Sequence, residues 1–457
     1  MFKIRRNILI NCHSLTISSR MVSNKFITLL EEKQLIKDWL PQNKLSEIKK
    51  LFETKQTIYT GIDPTGPSLH IGNLMVIMTM LHAVRHGHRV ICLIGDSTAT
   101  IGDPSGKLKE RETIDRKTID SNASRISSSL SFIFANHLKY FWKPHHSESI
   151  HEPIIVHNSN WYKDIKLLDF LSEIGSAIKV RNLARKSFVE DRSKNLTFSQ
   201  FTYQVIQGYD WLRLFDKHDC RFQIGGIDQT HNIEAGFSLI RNSRNQEAFG
   251  LFVPLLLDKD GKKMGKTEGK SLFLDRFINS PYSLYKTILK LPHNQVRKFL
   301  QYFTFYDENE IEKIIQKSLK NQQDLYAHEK LADSLTLLIH GESGLNQAKS
   351  TIKALLHGEW SALGQLTDDD LYQVFGSNCL IHHELIPEVT TLIELINKAK
   401  CFQNEELAMT TIEKGGIFIN SKKVTNPGHL FDNNDILSNN LTAIRIGTNR
   451  VYLIRWL

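Results

Sequence analysis

Residues 57–61 have the sequence Thr57-Ile58-Tyr59-Thr60-Gly61, a β-branched and aromatic run that is typical of a strand. A connector follows it, Asp63-Pro64-Thr65-Gly66-Pro67, whose prolines and glycine mark a turn. The chain continues as His70-Ile71-Gly72-Asn73, and apolar residues then recur at helical spacing. These apolar residues are Ile71, Leu74, Met75, Ile77, Met78 and Leu81. We therefore predict a strand over 57–61 and a helix that opens at His70.

A second apolar run, Arg89-Val90-Ile91-Cys92-Leu93-Ile94-Gly95, predicts a buried strand after this helix. Strand, helix and strand in this order form a βαβ unit with parallel strands and a right-handed crossover. A later run, Cys220-Arg221-Phe222-Gln223-Ile224, predicts another strand of the same sheet. The predicted fold class is α/β, with a Rossmann-like, doubly wound parallel sheet. Such sheets bind ligands beyond the carboxyl ends of their strands, which is where Tyr59 and Gly61 lie.

The predicted helix start at His70 is suited to bind phosphate. Backbone amides there lack partners within the helix and carry the positive end of its dipole, and an imidazole adds a directional donor. Far along the chain, Lys263-Met264-Gly265-Lys266-Thr267 belongs to a Gly- and Lys-rich segment that supplies positive charge. The His70 motif alone is equally typical of an ordinary helix start with a solvated histidine. Together the two segments predict a split ATP site.

Length and composition limit the class of protein. The 457 residues suffice for two or three domains, and a hydrophobic content of 41% is that of an ordinary globular protein. No apolar stretch approaches the roughly 20 residues that a membrane-spanning helix requires. The five cysteines are scattered and show no Cys-x-x-Cys spacing, which argues against a disulfide framework and a structural zinc site. A reducing compartment is the simplest interpretation.

Positive charge is concentrated at the N-terminus. The net charge is +9, and residues 1–30 hold Lys3, Arg5, Arg6, Arg20 and Lys25 but no acidic residue. A basic, acid-free, serine-containing leader with apolar residues between its charges is typical of a mitochondrial transit peptide. We therefore predict a transit peptide over 1–30 and a location in the mitochondrial matrix. The alternative is a disordered basic tail without a targeting role.

The remaining chain divides into three predicted domains. Alternating strand and helix patterns predict a Rossmann-like catalytic domain over 31–280, and helical periodicity, as at Leu331 and Leu335, predicts an α-helical domain over 281–380. Residues 381–457 begin with a helical pattern and end in a hairpin pattern, which predicts a small α+β domain. Five basic and two acidic residues follow residue 420. A few placed cations suffice to contact phosphates, so we expect this last domain to bind RNA.

Six short motifs follow one another in a fixed order. They are Tyr59-Thr60-Gly61-Ile62-Asp63-Pro64-Thr65, His70-Ile71-Gly72-Asn73, Ile101-Gly102-Asp103-Pro104-Ser105-Gly106-Lys107, Tyr203-Gln204-Val205-Ile206-Gln207-Gly208-Tyr209-Asp210, Gly225-Gly226-Ile227-Asp228-Gln229 and Lys263-Met264-Gly265-Lys266-Thr267. In this order the chain resembles the tyrosyl-tRNA synthetases of the bacterial and mitochondrial type, which are class I aminoacyl-tRNA synthetases. The resemblance extends from about residue 50 to the C-terminus. It implies that the helical domain binds the anticodon.

The resemblance implies a tyrosine pocket. Its residues would be Tyr59, Asp103, Tyr203, Gln207, Asp210 and Gln229. Tyr59 and Asp210 would hold the phenol hydroxyl, as rejection of phenylalanine requires buried groups that hydrogen-bond a phenol. Asp103, Tyr203 and Gln207 would bind the α-ammonium. Gln229 would approach the carboxylate and the α-phosphate. Independently, Tyr203, Gln207 and Asp210 are spaced i, i+4 and i+7, which places them on one helical face. The alternative is a structural polar stripe.

The resemblance also implies an ATP site. Its ATP-binding residues would be Gly61, Asp63, Asn73, Gly226, Asp228 and Met264. Its catalytic residues, which would bind the departing pyrophosphate, would be Thr65, His70, Lys263 and Lys266. No protein nucleophile is needed, so catalysis consists of positioning and of stabilising charge on phosphate oxygens. We expect Mg²⁺ to accompany ATP as substrate, with no prosthetic group and no metal cage made of protein alone.

Several residues depart from the family pattern. Asn73 stands where many relatives have a second histidine, and asparagine still supplies a hydrogen-bond donor. Ile227 replaces a serine, Thr230-His231 replaces a bulky residue and a glycine, and Asp96-Ser97 replaces a Gly-Ala step. Gly265 and Thr267 replace two serines, while both lysines of that motif remain. These changes leave open the shape of the ribose and adenylate pocket.

Other candidate residues receive structural interpretations. His82, His86 and His88 stand at the end of a predicted helix without a carboxylate or cysteine partner on it, so we expect them to face solvent rather than bind a metal. The tryptophans Trp161, Trp211, Trp360 and Trp456 are expected to be packing residues.

The predicted function is that of a mitochondrial tyrosine–tRNA ligase. Its partners would be L-tyrosine, ATP, tRNA(Tyr) and a second copy of the chain in a homodimer, with no membrane. The sister tryptophanyl enzyme shares the fold, but Tyr59 with Asp210 favours a phenol over an indole. The alternative from another class is a non-catalytic or dual-role RNA-binding or splicing protein on the same scaffold.

Overall fold

A computed structural model describes residues 25–105, 114–142, 152–184, 197–256, 272–320, 325–375, 380–383, 389–447 and 450–456. None of the helices within these ranges is long and apolar enough to span a membrane. Residues 1–24, most of the predicted leader, lie outside the described residues.

The described residues contain a six-stranded sheet that carries the candidate site. Its strands are β1 (Asp38–Leu40), β2 (Thr57–Ile62), β3 (Arg89–Ile94), β4 (Ile154–His157), β5 (Phe222–Gly226) and β6 (Phe249–Val253). They lie in the order β1-β6-β5-β2-β3-β4. Only β1, at one edge, is antiparallel to its neighbour among these strands. The predicted strands at 57–61 and 89–95 are therefore confirmed as parallel neighbours.

Helices cover both faces of this sheet. They are α1 (Lys25–Glu32), α2 (Leu45–Leu51), α3 (Ile71–Arg85), α4 (Arg116–Asn136), α5 (Ser159–Tyr162), α6 (Leu167–Glu173), α7 (Val180–Ala184), α8 (Phe198–His218) and α9 (Thr230–Arg244). Successive residues of β3 point to opposite faces, since side chains alternate along a strand. Val90 and Cys92 join a buried cluster with α3, whereas Ile91 and Leu93 join another with α8 and α9. The doubly wound architecture is confirmed.

Strand β5 begins two residues later than the sequence predicts. Asp219 ends α8 in the left-handed conformation, with φ 48°. The chain then needs Cys220 and Arg221 to leave the helix before it enters the sheet. The strand also ends two residues later than predicted, so it includes Gly225 and Gly226, which pair with the end of β6.

The segment after residue 280 is helical, as predicted. Its helices are α10 (Pro281–Leu289), α11 (His293–Phe303), α12 (Glu308–Leu319), α13 (Tyr326–His357) and α14 (Asp368–Phe375). Leu331 and Leu335 of α13 belong to the same buried cluster as Leu74 and Met78 of α3. The helices and one face of the sheet therefore share a continuous core.

Helix α1 reaches into the predicted leader. Phe26, Ile27 and Leu30 are fully buried in the core that the sheet shares with the later helices. Just after the helix, the Lys33 ammonium donates to the carbonyl oxygens of Thr304 (3.1 Å) and Tyr306 (2.8 Å). The leader boundary expected at residue 30 thus falls inside a buried helix.

The C-terminal residues form a second, five-stranded sheet. Its strands are β7 (Leu380–His383), β8 (Ile417–Ile419), β9 (Lys422–Val424), β10 (Leu441–Ile446) and β11 (Arg450–Trp456), in the order β7-β11-β10-β8-β9. The predicted hairpin is present as β10 and β11. Helices α15 (Leu392–Lys398) and α16 (Glu405–Glu413) pack on this sheet. Val389 lies before the first of these helices and is exposed.

Candidate functional site

A cavity of about 480 Å³ opens beyond the carboxyl ends of β2, β3 and β5. The chain runs outward from β2 through β3 to β4 and then returns to β5 on the other side of β2. Open α/β sheets bind ligands at such a reversal of strand order. All the sequence-predicted site residues that the structure describes line this cavity. They are Tyr59, Gly61, Asp63, Thr65, His70, Asn73, Asp103, Tyr203, Gln207, Asp210, Gly226, Asp228 and Gln229.

Three predicted site residues, Lys263, Met264 and Lys266, lie outside the described residues. The chain that flanks their segment is at the cavity. Leu256 lines it on one side. On the other, the N–H of Ile71 donates to the carbonyl oxygen of Leu272 (3.0 Å), next to His70. The described residues on both sides of this segment therefore lie at or beside the cavity.

His70 caps helix α3 at the cavity wall. Its Nδ1 accepts a hydrogen bond from the N–H of Gly72 (3.1 Å), so in the neutral ring the proton resides on Nε2. Asn73 completes the cap, since its Oδ1 accepts from the N–H of His70 (3.0 Å). The side chain that replaces the family's second histidine thus uses its oxygen to fix the helix start, and its Nδ2 is the atom that retains donor capacity. Backbone amides at such a helix start attract phosphate oxygens.

A buried carboxylate lies at the inner end of the cavity. Asp210, on α8, accepts from Asn158 Nδ2 (3.1 Å) and from Trp161 Nε1 (2.9 Å). Burial raises the pKa of Asp210 to about 7, although these donors act in the opposite direction. Trp161 packs against the apolar cluster beneath α8 and α9, as predicted, and its indole N–H in addition donates to the candidate site.

Tyr59 faces the same end of the cavity with an unused hydroxyl. The side chain is fully buried, and its Oη is without a hydrogen-bond partner among the described residues. Burial raises the pKa of Tyr59 well above its ordinary value, so the phenol stays protonated. A buried hydroxyl without a partner is costly. A ligand that offers a hydroxyl to Tyr59 and Asp210 relieves that cost.

One hydrogen-bond network joins the predicted tyrosine and nucleotide residues. Tyr203 Oη donates to Asp63 Oδ2 (2.6 Å), and Thr98 Oγ1 lies 2.7 Å from Asp63 Oδ1. Asn158 Nδ2 reaches Thr98 Oγ1 (3.1 Å) and so links this group to Asp210. The sequence assigned Asp63 and Tyr203 to different ligands, yet the two side chains bond to each other.

A second polar group surrounds Asp103. Its carboxylate accepts from the N–H (2.8 Å) and the Oγ (2.6 Å) of Ser105 and from Gln229 Nε2 (2.7 Å). Asn232, on α9, donates to Gln229 Oε1 (2.9 Å) and lies 3.3 Å from Asp103. This arrangement fixes a carboxylate at the cavity wall, which suits the binding of a cationic group.

Two glycines allow the backbone to approach these polar groups. A Cβ on Gly95 would lie 2.0 Å from Asp63 Oδ1 and 2.3 Å from Thr98 Oγ1. A Cβ on Gly226 would lie 2.5 Å from Asp228 Oδ1. Only glycine leaves room for these side chains at the strand ends.

Sequence reasoning missed several residues of the site, namely Thr98, Asn158, Trp161, Gln223 and Asn232. Gln223 lines the cavity, is buried and has an Oε1 without a hydrogen-bond partner in the part of the chain that the structure describes. Its signal was available, because Gln223 stands in a run that was predicted to be a buried strand. In the sheet it pairs with Tyr59. A polar residue in the middle of a buried strand requires a partner.

Among the departures from the family pattern, Asn73 lines the cavity, whereas Asp96, Ser97, Ile227, Thr230 and His231 do not, and Gly265 and Thr267 lie outside the described residues. Ile227 packs against the apolar cluster beneath α8 and α9, and Thr230 Oγ1 donates to its carbonyl oxygen (2.6 Å). His231 lies 3.6 Å from Glu234 on the same helix. These side chains therefore leave the described cavity wall unchanged.

The histidines near the end of α3 are not exposed, which contradicts the sequence-based expectation. His82 and His88 are buried, and His86 is partly buried. His88 contacts Phe26 and Phe52, with ring centroids 5.1 Å and 5.0 Å away. Among the described residues, no three or more His, Cys, Asp or Glu side chains lie close enough together to hold a metal ion.

Known proteins share this sequence and fold. A family model for class I tRNA synthetases (W and Y) matches residues 51–357. The mitochondrial tyrosine–tRNA ligase of Drosophila melanogaster is 37% identical over 96% of this chain and 96% of its own length. The human mitochondrial tyrosine–tRNA ligase is 35% identical over 93% of this chain and 90% of its own. The structure of a C-terminally truncated mitochondrial tyrosyl-tRNA synthetase from Aspergillus nidulans matches with a TM-score of 0.65 and 27% identity, covering 72% of this chain and 94% of that one.

Proposed function

The chain belongs to the tyrosine–tRNA ligases, a branch of the class I tRNA synthetases, and we propose how its own residues activate L-tyrosine with ATP and pass it to tRNA(Tyr). One observation carries the proposal. The unpartnered hydroxyl of Tyr59 and the buried carboxylate of Asp210 lie at the inner end of the cavity whose outer wall holds His70. A phenol fits between the first two groups while a triphosphate meets the third.

Tyrosine enters with its hydroxyl toward Asp210. The phenol donates to the carboxylate and accepts from Tyr59, so that the Tyr59 hydroxyl acquires a partner and Asp210 a further donor. Phenylalanine supplies neither hydrogen bond, and a site built to bond a hydroxyl rejects the analogue that lacks it. An indole N–H has no oxygen to offer Tyr59, which disfavours tryptophan.

The amino and carboxylate groups of tyrosine lie toward Asp103. Asp103, Tyr203 and Gln207 bind the α-ammonium, for which the carboxylate supplies the charge. Gln229 is already bonded to Asp103 and presents its amide toward the tyrosine carboxylate. Asn232 orients that amide through its bond to Gln229 Oε1.

ATP binds across the carboxyl ends of β2 and β5. Gly61, Asp63, Gly226 and Asp228 surround the adenosine and ribose, and Asn73 and Met264 complete the site. The tyrosine carboxylate attacks the α-phosphorus, the bond to the bridging oxygen breaks, and pyrophosphate leaves. The charge on the leaving group is stabilised by Thr65, His70, Lys263 and Lys266. A terminal ribose hydroxyl of the tRNA then takes the tyrosyl group and releases AMP.

Magnesium accompanies ATP in this proposal. No cluster of three or more ligating side chains is present among the described residues, so the ion is held mainly by the phosphates and water.

A homodimer is supported by an exposed apolar surface. Leu167, Leu168 and Phe198, at the starts of α6 and α8, are 72%, 75% and 78% exposed. Leu171 and Val180 lie in the same region of the sequence and are also exposed. We take these exposed apolar side chains, which lie on the successive helices α6, α7 and α8, as an interaction site. Light scattering coupled to gel filtration tests this, since a mass of one chain at micromolar concentration would oppose it.

We propose the following division of labour along the chain. The catalytic domain extends to residue 280, the helical domain over 281–380 binds the anticodon, and the domain over 381–457 binds the RNA backbone with its basic residues. The protein acts in the mitochondrial matrix, as the basic leader and the mitochondrial relatives suggest. Because α1 is buried from Phe26 onward, the leader is cleaved before Lys25.

Amino-acid-dependent exchange between pyrophosphate and ATP tests the function. We expect exchange with tyrosine and far less with phenylalanine or tryptophan. A well-folded protein that binds structured RNA but supports no exchange would instead indicate the non-catalytic RNA-binding alternative.

A further inference from the structure

Asp96 lies just beyond the end of β3, outside the lining of the cavity. Its side chain is buried and accepts three hydrogen bonds. Oδ1 accepts from the N–H of Ser159 (3.0 Å), and Oδ2 accepts from Ser159 Oγ (2.8 Å) and from His157 Nδ1 (3.1 Å). All three donors belong to the turn where β4 passes into α5. A single carboxylate therefore holds that turn against the end of β3.

Asn158 is the residue between the two that Asp96 holds. It is fully buried, and its Oδ1 accepts from the N–H of Ser97 (2.8 Å). Its Nδ2 lies 3.1 Å from Asp210 Oδ2. Asp96 binds the neighbours of Asn158 on both sides, and Ser97 binds Asn158 itself. The position of the amide that donates to Asp210 is thus set from β3.

Trp161 depends on the same turn. Its backbone N–H donates to the carbonyl oxygen of Asn158 (3.2 Å), and its indole Nε1 donates to Asp210 Oδ1 (2.9 Å). Both oxygens of the Asp210 carboxylate therefore receive donors from residues 158–161. A shift of this turn moves both donors together.

We propose that Asp96 is a positioning residue for tyrosine selection, acting through Asn158 and Trp161 on the carboxylate of Asp210. This inference rests on the proposed function, because it assigns Asp210 to the phenol. Asp96-Ser97 stands where the resembling family has a Gly-Ala step. Glycine has no side chain with which to hold His157 and Ser159, so the clamp is a feature of this chain.

The test compares Asp96→Ala with the unmodified full-length protein in pyrophosphate–ATP exchange. We expect the KM for tyrosine to rise about tenfold and the preference for tyrosine over phenylalanine to fall by a similar factor, less than the roughly 100-fold that a 1 Å misplacement can cost. The KM for ATP should remain within about twofold, because the phosphate wall at His70 is untouched. Asp96→Asn retains one accepting oxygen and should recover part of the loss.

A matched control is Asp120→Asn. Arg116 lies between the two residues. Its Nη1 donates to the backbone oxygen of Asp96 (3.2 Å), its Nη2 lies 4.0 Å from Asp96 Oδ2, and its Nε bonds Asp120 Oδ1 (2.9 Å). Loss of Asp120 perturbs Arg116 but leaves the hydrogen bonds from His157 and Ser159 to Asp96 intact, so both KM values should stay unchanged. If Asp96→Ala does not fold, Ser159→Ala removes one donor from the clamp and should raise the KM for tyrosine in the same direction.

A readout independent of catalysis separates this inference from the proposed function. The Trp161 indole proton is identified by NMR as the signal lost in Trp161→Phe, and its exchange with solvent should accelerate severalfold in Asp96→Ala. Unchanged exchange and an unchanged KM for tyrosine in the folded variant would overturn the positioning role. A fall in kcat together with equal rises in the KM for tyrosine and the KM for ATP would also overturn it, since these changes indicate general damage to the protein. Absence of tyrosine-dependent exchange in the unmodified protein would refute the function instead, while the NMR result would still decide the clamp.

Discussion

Replacing Tyr59 by phenylalanine tests two effects of its hydroxyl separately, namely its cost to the stability of the free protein and its contribution to the use of tyrosine as substrate. The hydroxyl is fully buried and has no partner among the described residues. Its removal leaves the ring in place, where it contacts Trp211 with centroids 6.0 Å apart. The change therefore removes one oxygen from the cavity and little else.

Two effects of opposite sign follow from this geometry. An unsatisfied buried polar group costs about 1–3 kcal/mol, so Tyr59→Phe should raise the free energy of unfolding of the free protein by about 1 kcal/mol. One neutral hydrogen bond to the substrate contributes about 0.5–1.5 kcal/mol, which corresponds to roughly a 2- to 13-fold loss in kcat/KM for tyrosine. Phenylalanine has no hydroxyl to lose, so its kcat/KM should stay unchanged or increase.

The assays are urea unfolding without ligands and exchange kinetics with each amino acid. Trp211→Phe is a suitable control, because it alters the packing beside Tyr59 without touching the hydroxyl. A Tyr59→Phe protein that is less stable than the parent, and that loses activity equally with tyrosine and phenylalanine, would refute the reasoning.

Three further results are expected. Burial raises the pKa of Asp210 from its ordinary 3.8 to about 7, so between these pH values the folded state binds more protons than the unfolded state. The contribution of this group to the free energy of unfolding is therefore full below pH 4 and declines as pH rises through 7. Asp210→Asn should flatten that slope in urea titrations at a series of pH values, and an unchanged slope would contradict the assignment. Burial is the chief cause that lowers the pKa of Lys33 from 10.5 to about 8, and here the unfolded state binds more protons, so the pH dependence of stability has the opposite sign. The free energy of unfolding should rise between pH 8 and 10.5, and Lys33→Met should abolish that rise. An identical pH profile in the variant would argue against this role of Lys33. Gly95→Ala places a methyl group against Asp63, so it should destabilise the protein by about 1–3 kcal/mol and raise the KM for ATP. Gly175→Ala is the control, because its Cβ would meet nothing nearer than 3.9 Å, and it should have neither effect. Equal effects of the two variants would exclude the clash as the cause.

Local patterns predicted the part of the fold that local chemistry determines. The strand over 57–61 and the helix after His70 follow from β-branched composition and from apolar spacing, and both are present. The predicted strand at 220–224 begins at Phe222, because Asp219 needs a left-handed turn to leave α8. That turn leaves only a weak signal in sequence.

Burial of the histidines was not predictable from α3 alone. His88 is covered by Phe26, which lies in the segment that the sequence assigned to a leader. A prediction that removes residues 1–30 from the fold necessarily leaves that side of the helix exposed. The failure to predict burial of His88 therefore follows from leaving Phe26 out of the fold.

In the candidate site too, local patterns predicted some residues, whereas others depend on tertiary contacts. Motif order identified residues that the fold brings into one cavity, since the described motifs lie at or beyond strand ends, at the start of α3 or within α8. Trp161 escaped detection because an indole on a short helix is usually a packing residue, and only the tertiary structure directs its N–H to Asp210. Asn158 escaped for the same reason, as its role depends on its distance from α8.

The most direct test of the central claim is a crystal structure with L-tyrosine bound. We expect the phenolic oxygen within hydrogen-bond distance of both Tyr59 Oη and the Asp210 carboxylate, and the α-ammonium beside Asp103. Tyrosine bound with its hydroxyl toward His70, or outside this cavity, would contradict the account.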